Sequence, residues 1–179
     1  ASMQYDANDI IRFFNDKEID TLLLINPDNP SGNYIPYNDL LRLIEWSKQR
    51  GVNFIVDESF VDFVDCEGET SLLHDDILAN NPHLYVVKSI SKSYGVPGLR
   101  LGVLASGDID TIARLKKEVA IWNINSFGEF YMQIYEKYHK DYLKACELFR
   151  EERKLFFEEL QKIDFLRVIP SQANYFLCE

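Results

Sequence analysis

Three short apolar runs constrain this chain more than any other feature: Thr21-Leu22-Leu23-Leu24-Ile25, Asn53-Phe54-Ile55-Val56 and Leu84-Tyr85-Val86-Val87. Each is nearly continuous in apolar residues and closes on polar or turn-forming ones, the pattern of a strand covered on both faces of a parallel sheet. Between the first two lies Pro36 to Arg50, where Leu40, Leu41, Leu43 and Ile44 recur at helical spacing and Gly51 supplies a C-terminal stop. Strand, helix, strand, loop, strand is the signature of the α/β class, so a mostly parallel sheet with flanking helices is expected.

The rest of the chain fits around that centre. Asp6 to Asp16 reads as a short amphipathic helix with Ile10, Ile11, Phe13 and Phe14 on its apolar face. Cys66 to Asn81 is polar and irregular, with room for one helical turn. Leu101 to Ala105 makes a fourth strand and Asp108 to Val119 a helix, after which Ile121-Trp122-Asn123-Ile124-Asn125 breaks the pattern. From Phe127 to Leu160 charged residues and regular apolar spacing predict one long helix, in which Glu151-Glu152-Arg153-Lys154 reads as a solvated face. Phe165 to Ile169 and Asn174 to Leu177 read as strands. A division near residue 145 is expected, with 1–145 a larger domain and 146–179 the beginning of a small α+β domain.

With 46% hydrophobic residues, including 12 Phe and 10 Tyr, the chain can bury a substantial core, which argues against disorder. A net charge of −10 argues against general binding to nucleic acid or to an anionic membrane. The three cysteines, Cys66, Cys146 and Cys178, lack metal spacing, and His74, His83 and His139 are scattered, so no metal site is expected and the histidines read as surface or structural. A reduced, cytoplasmic protein is the expectation.

Chemistry-bearing residues gather where strands end. In open α/β sheets, ligands bind outside the carboxyl ends of the parallel strands. Asn29 follows the first run inside the dense turn signal Asn26-Pro27-Asp28-Asn29-Pro30-Ser31-Gly32, Asp57 closes the second, and Lys92 follows the third. Ser89 and Ser91 flank this last turn, and three glycines and a proline then bend the chain while Arg100 returns towards the same place. Hydroxyl donors and a planar guanidinium suit a phosphate, and a lysine near other positive charge can be an amine nucleophile. Lys88 is the rival lysine, but it stands inside the strand.

The stretch Ser89-Ile90-Ser91-Lys92 through Gly98-Leu99-Arg100-Leu101-Gly102 resembles the Ser-x-Ser-Lys…Gly-x-Arg-x-Gly signature of fold-type I pyridoxal-phosphate enzymes, the class I/II aminotransferases. The likeness is nearest to the branch holding histidinol-phosphate aminotransferases and threonine-phosphate decarboxylases. It implies an aspartate-aminotransferase-like large domain, with Lys92 carrying pyridoxal 5'-phosphate as a Schiff base and Ser89, Ser91 and Arg100 binding the phosphate. Asn29 matches the asparagine that donates to the phenolic ring oxygen, and Asp57 the aspartate that keeps the pyridine nitrogen protonated. Phe60 stands where many members carry a tyrosine whose hydroxyl also reaches that oxygen; the threonine-phosphate decarboxylase branch can carry Phe here. Ser171-Gln172-Ala173-Asn174-Tyr175-Phe176 resembles the small-domain strand of the same branch, with Asn174 approaching substrate.

The resemblance runs from about Thr21 to Leu177, and family members are usually about twice this length. The chain is therefore expected to be an internal fragment without turnover of its own. The parent is expected to be a homodimer that passes an amino group from a small-molecule donor to a keto acceptor. Decarboxylation of a phosphorylated amino acid, or a non-catalytic module derived from the fold, stays open as an alternative.

Overall fold

The computed structural model describes residues 3–179. Four strands, β1 (Thr21–Ile25), β2 (Asn53–Asp57), β3 (Leu84–Ser89) and β4 (Gly102–Ser106), form one sheet in the order β1-β2-β3-β4. The first three are parallel, with Ile25 opposite Asp57 and Asp57 opposite Val87, while β4 runs antiparallel to β3 with Gly102 opposite Ser89. The expected α/β fold with a mostly parallel sheet is what forms.

Helix α1 (Ala7–Phe14) starts at a capping box: Asp6 Oδ1 accepts from the Asp9 N–H at 2.8 Å, and Asp9 Oδ2 accepts from the Asp6 N–H at 3.2 Å. Helix α2 (Tyr37–Gln49) buries Leu40, Leu43, Ile44 and Ser47, one stripe at 3.6 residues per turn. These two helices, joined by Leu72, cover the sheet face made by Leu22, Leu24, Phe54, Val56, Leu84 and Val86, and that layer is the main core. Burial along β1 alternates, and Leu23 is 59% exposed. Full cover on both faces, expected from the apolar run, is therefore not found at this strand among the described residues. The helices described here fill one side of it only.

Two short helices follow, α3 (Asp75–Asn80) and α4 (Ile90–Ser93), and then α5 (Ile109–Glu118). Helix α6 (Ser126–Leu160) begins where Asn125 accepts from the Gly128 N–H at 2.9 Å. The Asn125 side-chain amide also donates to the Leu99 carbonyl at 3.0 Å, tying the start of α6 to the turn before β4. Trp122, just before it, is 90% exposed. Helix α6 passes through residue 145 without interruption, so the division placed there falls inside a helix and we keep it as a proposal. The two terminal strands expected at 165–169 and 174–177 do not form. The pairing found is one antiparallel bridge, Val168 with Cys178, flanked by backbone bonds between Arg167 and Glu179 and from the Ile169 N–H to the Leu177 carbonyl. No helix is long and apolar enough to cross a membrane among the described residues.

Candidate active site

One edge of the sheet collects the carboxyl ends of β1, β2 and β3 together with the start of antiparallel β4, because Ile25, Asp57 and Val87 lie in register and Ser89 faces Gly102. The ladder continues past the strand ends: the Asn26 N–H donates to the Asp57 carbonyl at 2.9 Å, and the Glu58 N–H to the Val87 carbonyl at 2.8 Å. Asn29, Asp57, Ser89, Ser91, Lys92 and Arg100 all stand at or beyond this edge.

The loop after β1 is rigid for local reasons. Buried Asn26 takes both sides of the Ile35 peptide, accepting from its N–H at 2.8 Å and donating to its carbonyl at 3.0 Å. Asp28 Oδ2 accepts from the Ser31 N–H at 3.1 Å and from its hydroxyl at 2.5 Å, which fixes the second half of the loop. Both Asn–Pro peptides, Asn26-Pro27 and Asn29-Pro30, are cis. Asn29 itself is exposed, and its side chain has no hydrogen-bond partner among the described residues.

Asp57 is held from one side. Its Oδ1 accepts from the Ser59 N–H at 2.9 Å and the Ser59 hydroxyl at 2.5 Å, and Ser59 Oγ in turn accepts from the Ser89 N–H at 2.9 Å. That relay joins the ends of β2 and β3 and leaves Asp57 Oδ2 without a partner among the described residues. Two neighbouring acids are structural. Glu58 is fully buried, accepting from the Ser71 hydroxyl and the Leu72 N–H, each at 2.6 Å, and burial pushes its carboxyl pKa up. Asp62 pairs with Lys88 at 2.8 Å, with both side chains mostly buried.

Lys88 and Lys92 thus separate by environment. Lys88, 8% exposed, is committed to Asp62. Lys92 sits in α4, exposed, with no partner for its amine among the described residues. Beside it Ser91 is 7% exposed, and its hydroxyl is buried with no hydrogen-bond partner. Buried polar atoms without a partner are few in a folded chain, and Ser91 Oγ is one of six among the described residues, with Ser93 Oγ two residues on another. Ser89 precedes the helix without making a cap bond. The Ile90 N–H donates to the Leu101 carbonyl at 3.1 Å, pinning the lysine turn to β4. The same turn is held to α6 by Tyr94, whose ring stacks on Tyr142 at 4.2 Å and whose hydroxyl accepts from Tyr135 at 3.1 Å.

Arg100 ends the 3-10 turn Pro97–Leu99 in the left-handed region, at φ 57° and ψ 43°. A non-glycine residue there costs about 1 kcal/mol, strain of the kind that gathers at ligand-binding turns. Its guanidinium is exposed and donates to the Pro97 carbonyl at 3.3 Å, leaving its remaining N–H groups free for another acceptor. Two cavities lie away from this edge. One of about 620 Å³ is lined by Tyr5, Ile10 and Phe13, and one of about 320 Å³ by Asp62, Cys66, Tyr142, Cys146 and Arg150. None of the strand-end residues Asn29, Asp57, Ser89, Ser91, Lys92 and Arg100 lines either of them.

Three contributors escaped the sequence reading. Ser59 carried no signal, because a serine two residues past an aspartate is an ordinary turn residue. Tyr175 neighbours Asn174, which drew attention instead; its hydroxyl donates to the Asp28 carbonyl at 2.7 Å and its ring stands edge-on to Phe60. Arg153 is 8% exposed, not solvated, and donates to the carbonyls of Phe63 and Ala173 at 2.7 and 3.1 Å and to Gln172 Oε1 at 3.2 Å.

A family profile described as "Aminotransferase class I and II" matches residues 1–179. A threonine-phosphate decarboxylase from Salmonella typhimurium is 33% identical over 165 residues, covering 90% of this chain and 44% of that protein. The solved structure of a decarboxylase from Sulfurospirillum multivorans superposes with a TM-score of 0.84 at 32% identity, covering 98% of this chain and 50% of that one. A histidinol-phosphate aminotransferase from Clostridium acetobutylicum gives 0.84 at 30% identity, covering 99% and 52%. The chain spans about half the length of these relatives.

Proposed function

The chain belongs to the aminotransferase class I and II family, a pyridoxal-phosphate-dependent one, and on that premise we propose that it carries the cofactor-binding half of an enzyme acting on the amino group of an amino acid or phosphorylated amino compound. The observation that carries this reading is the buried, unpaired hydroxyl of Ser91 beside an uncommitted lysine at the shared strand-end edge.

The donors present fit the group. Ser89, Ser91 and the Arg100 guanidinium match a phosphate, for which hydroxyls and a planar fork are the suited partners. Asp57 Oδ2 matches a protonated pyridine nitrogen, since a fixed carboxylate favours the charged form of a nearby base. The Asn29 amide matches the phenolic oxygen. When bound, pyridoxal phosphate supplies an electron sink for charge developing at the substrate α-carbon.

This chain's residues do the rest. Lys92 would hold the cofactor, and its amine, once free, would move a proton at the substrate α-carbon as general base and acid. Asp57, fixed through Ser59, keeps its charge in place without reorganising. The ion pair of Lys88 with Asp62 supports Lys92 over Lys88 in the nucleophile's role. We place the parent's reaction as transamination between a small-molecule amino donor and a keto acceptor, in a homodimer.

A second reading, decarboxylation of a phosphorylated amino acid, is favoured by Phe60, which removes a phenol from the ring oxygen, and by the decarboxylases among the relatives. The full-length protein, loaded with pyridoxal phosphate and given phosphoserine or phosphothreonine, tests both. A keto product without CO₂ supports transamination, and CO₂ release in step with substrate loss supports decarboxylation. Cofactor binding without either, across a panel of amino acids and phosphorylated amino compounds, sinks the enzymatic reading.

A further inference from the structure

The segment from Ser171 to Phe176 folds back onto the loop that follows β1, and no step of the proposed reaction uses that contact. At Gly32 φ is +70° and a Cβ would collide with Ser171, so only glycine lets the two backbones meet. The Gln172 N–H donates to the Gly32 carbonyl at 2.9 Å. Three residues on, the Tyr175 hydroxyl reaches the Asp28 carbonyl at 2.7 Å, an oxygen that also accepts from the Gly32 N–H at 2.8 Å. That carbonyl belongs to the peptide linking Asp28 to Asn29. The Tyr175 ring is braced edge-on against Phe60, 5.2 Å between centroids, in the place where a phenol is missing from the signature.

We infer that Tyr175 is a positioning residue for Asn29: by holding the Asp28–Asn29 peptide, its hydroxyl sets where the otherwise uncommitted Asn29 amide stands. The inference rests on the proposed reading, in which that amide donates to the phenolic oxygen of the cofactor. Burial, with the negative charges of Asp28 and Asp57, pushes the Tyr175 phenol up to about 12, so it remains a donor across the working range of pH. Besides those two acids, the Tyr5 phenol stands near Asp28, and burial together with that acid's charge pushes it up. A well-placed donor stabilises the ionised ring oxygen and lowers the pH at which the lysine-linked cofactor gives up its proton; loosening the donor raises it.

The test uses the full-length protein loaded with pyridoxal phosphate and reads the pH midpoint of its visible absorption, not its turnover. Tyr175→Phe keeps the ring against Phe60 and is expected to raise the midpoint by about 0.5 pH unit, Asn29→Ala by about 1, and the double variant no further than Asn29→Ala alone. A Tyr175→Phe midpoint within about 0.1 unit of wild type, with Asn29→Ala shifted, overturns the positioning role and leaves the site reading intact. A Tyr175→Phe shift that adds in full on top of Asn29→Ala overturns it too, since the two residues then act separately. An Asn29→Ala protein with an unmoved midpoint overturns the role of Asn29 itself and the inference with it. Tyr175→His, which retains a ring and a donor, guards against poor folding of the first variant: a midpoint near wild type supports the role, and one matching Asn29→Ala overturns it.

Discussion

Arg153→Met removes one guanidinium while keeping most of the buried stem, and its cost can be worked from three contacts. The guanidinium donates to the carbonyls of Phe63 and Ala173 and to Gln172 Oε1. Gln172 Oε1 keeps a partner, because the Asp65 N–H also donates to it at 2.8 Å. The two carbonyls keep none from the substituted side chain. A buried polar group left unpaired costs about 1–3 kcal/mol, so two give roughly 2–6. Part of that is offset because a desolvated cation disappears as well. A net loss of about 2–4 kcal/mol is expected. Arg150→Met is the control: its one side-chain contact, to the Asp62 carbonyl, is 3.4 Å long, and its loss is expected below about 1 kcal/mol. Equilibrium urea unfolding of both variants measures the difference. Native-state hydrogen exchange at the Gln172 amide, bonded to Gly32, shows whether the terminal segment loosens first. Equal losses in the two variants, or an Arg153→Met protein within about 0.5 kcal/mol of wild type, would refute the view of Arg153 as the hub that holds this segment.

The two lysines should part in the same assay. Lys88→Met strips a mostly buried carboxylate of its cation and is expected to cost about 2–3 kcal/mol, while Lys92→Met, at an exposed amine without a partner, stays within about 0.5 kcal/mol of wild type. Glu58 carries a raised pKa in the fold, so the folded state holds its proton at pH values where the unfolded chain has lost it, and stability falls as pH rises from the ordinary value of 4.5 towards the folded one. Glu58→Gln should remove that decline, seen as a flatter unfolding free energy against pH; a curve parallel to wild type would count against burial as the cause.

How legible was all this? The three parallel strands were plain, because their cores are apolar runs closed by turn residues, and so was the first helix, though its Asp6–Asp9 capping box went unnoticed. The strand-end placement of Asn29, Asp57 and Lys92 followed from topology alone. The antiparallel sense of β4 was not readable, since Leu101 to Ala105 is equally apolar in either direction. Arg153 reads as solvated in the sequence because its neighbours Glu151, Glu152 and Lys154 are charged. Yet Cys146, Phe149, Arg153 and Phe157 recur at helical spacing, which places the arginine on the inward stripe of α6. Phe165–Ile169 and Asn174–Leu177 have strand composition, but a single bridge at Val168 and Cys178 is all the strand pairing found there among the described residues, and pairing rather than propensity decides whether a strand forms.

The central claim is that Lys92, not Lys88, is the residue that takes up the cofactor. Incubating the full-length protein with pyridoxal 5'-phosphate, reducing with borohydride and sequencing the peptides by mass spectrometry tests it directly. A reduced pyridoxyl-phosphate adduct on Lys92, abolished in Lys92→Ala and untouched in Lys88→Ala, is the predicted result. An adduct on Lys88, or a labelling pattern unchanged by Lys92→Ala, would contradict the account.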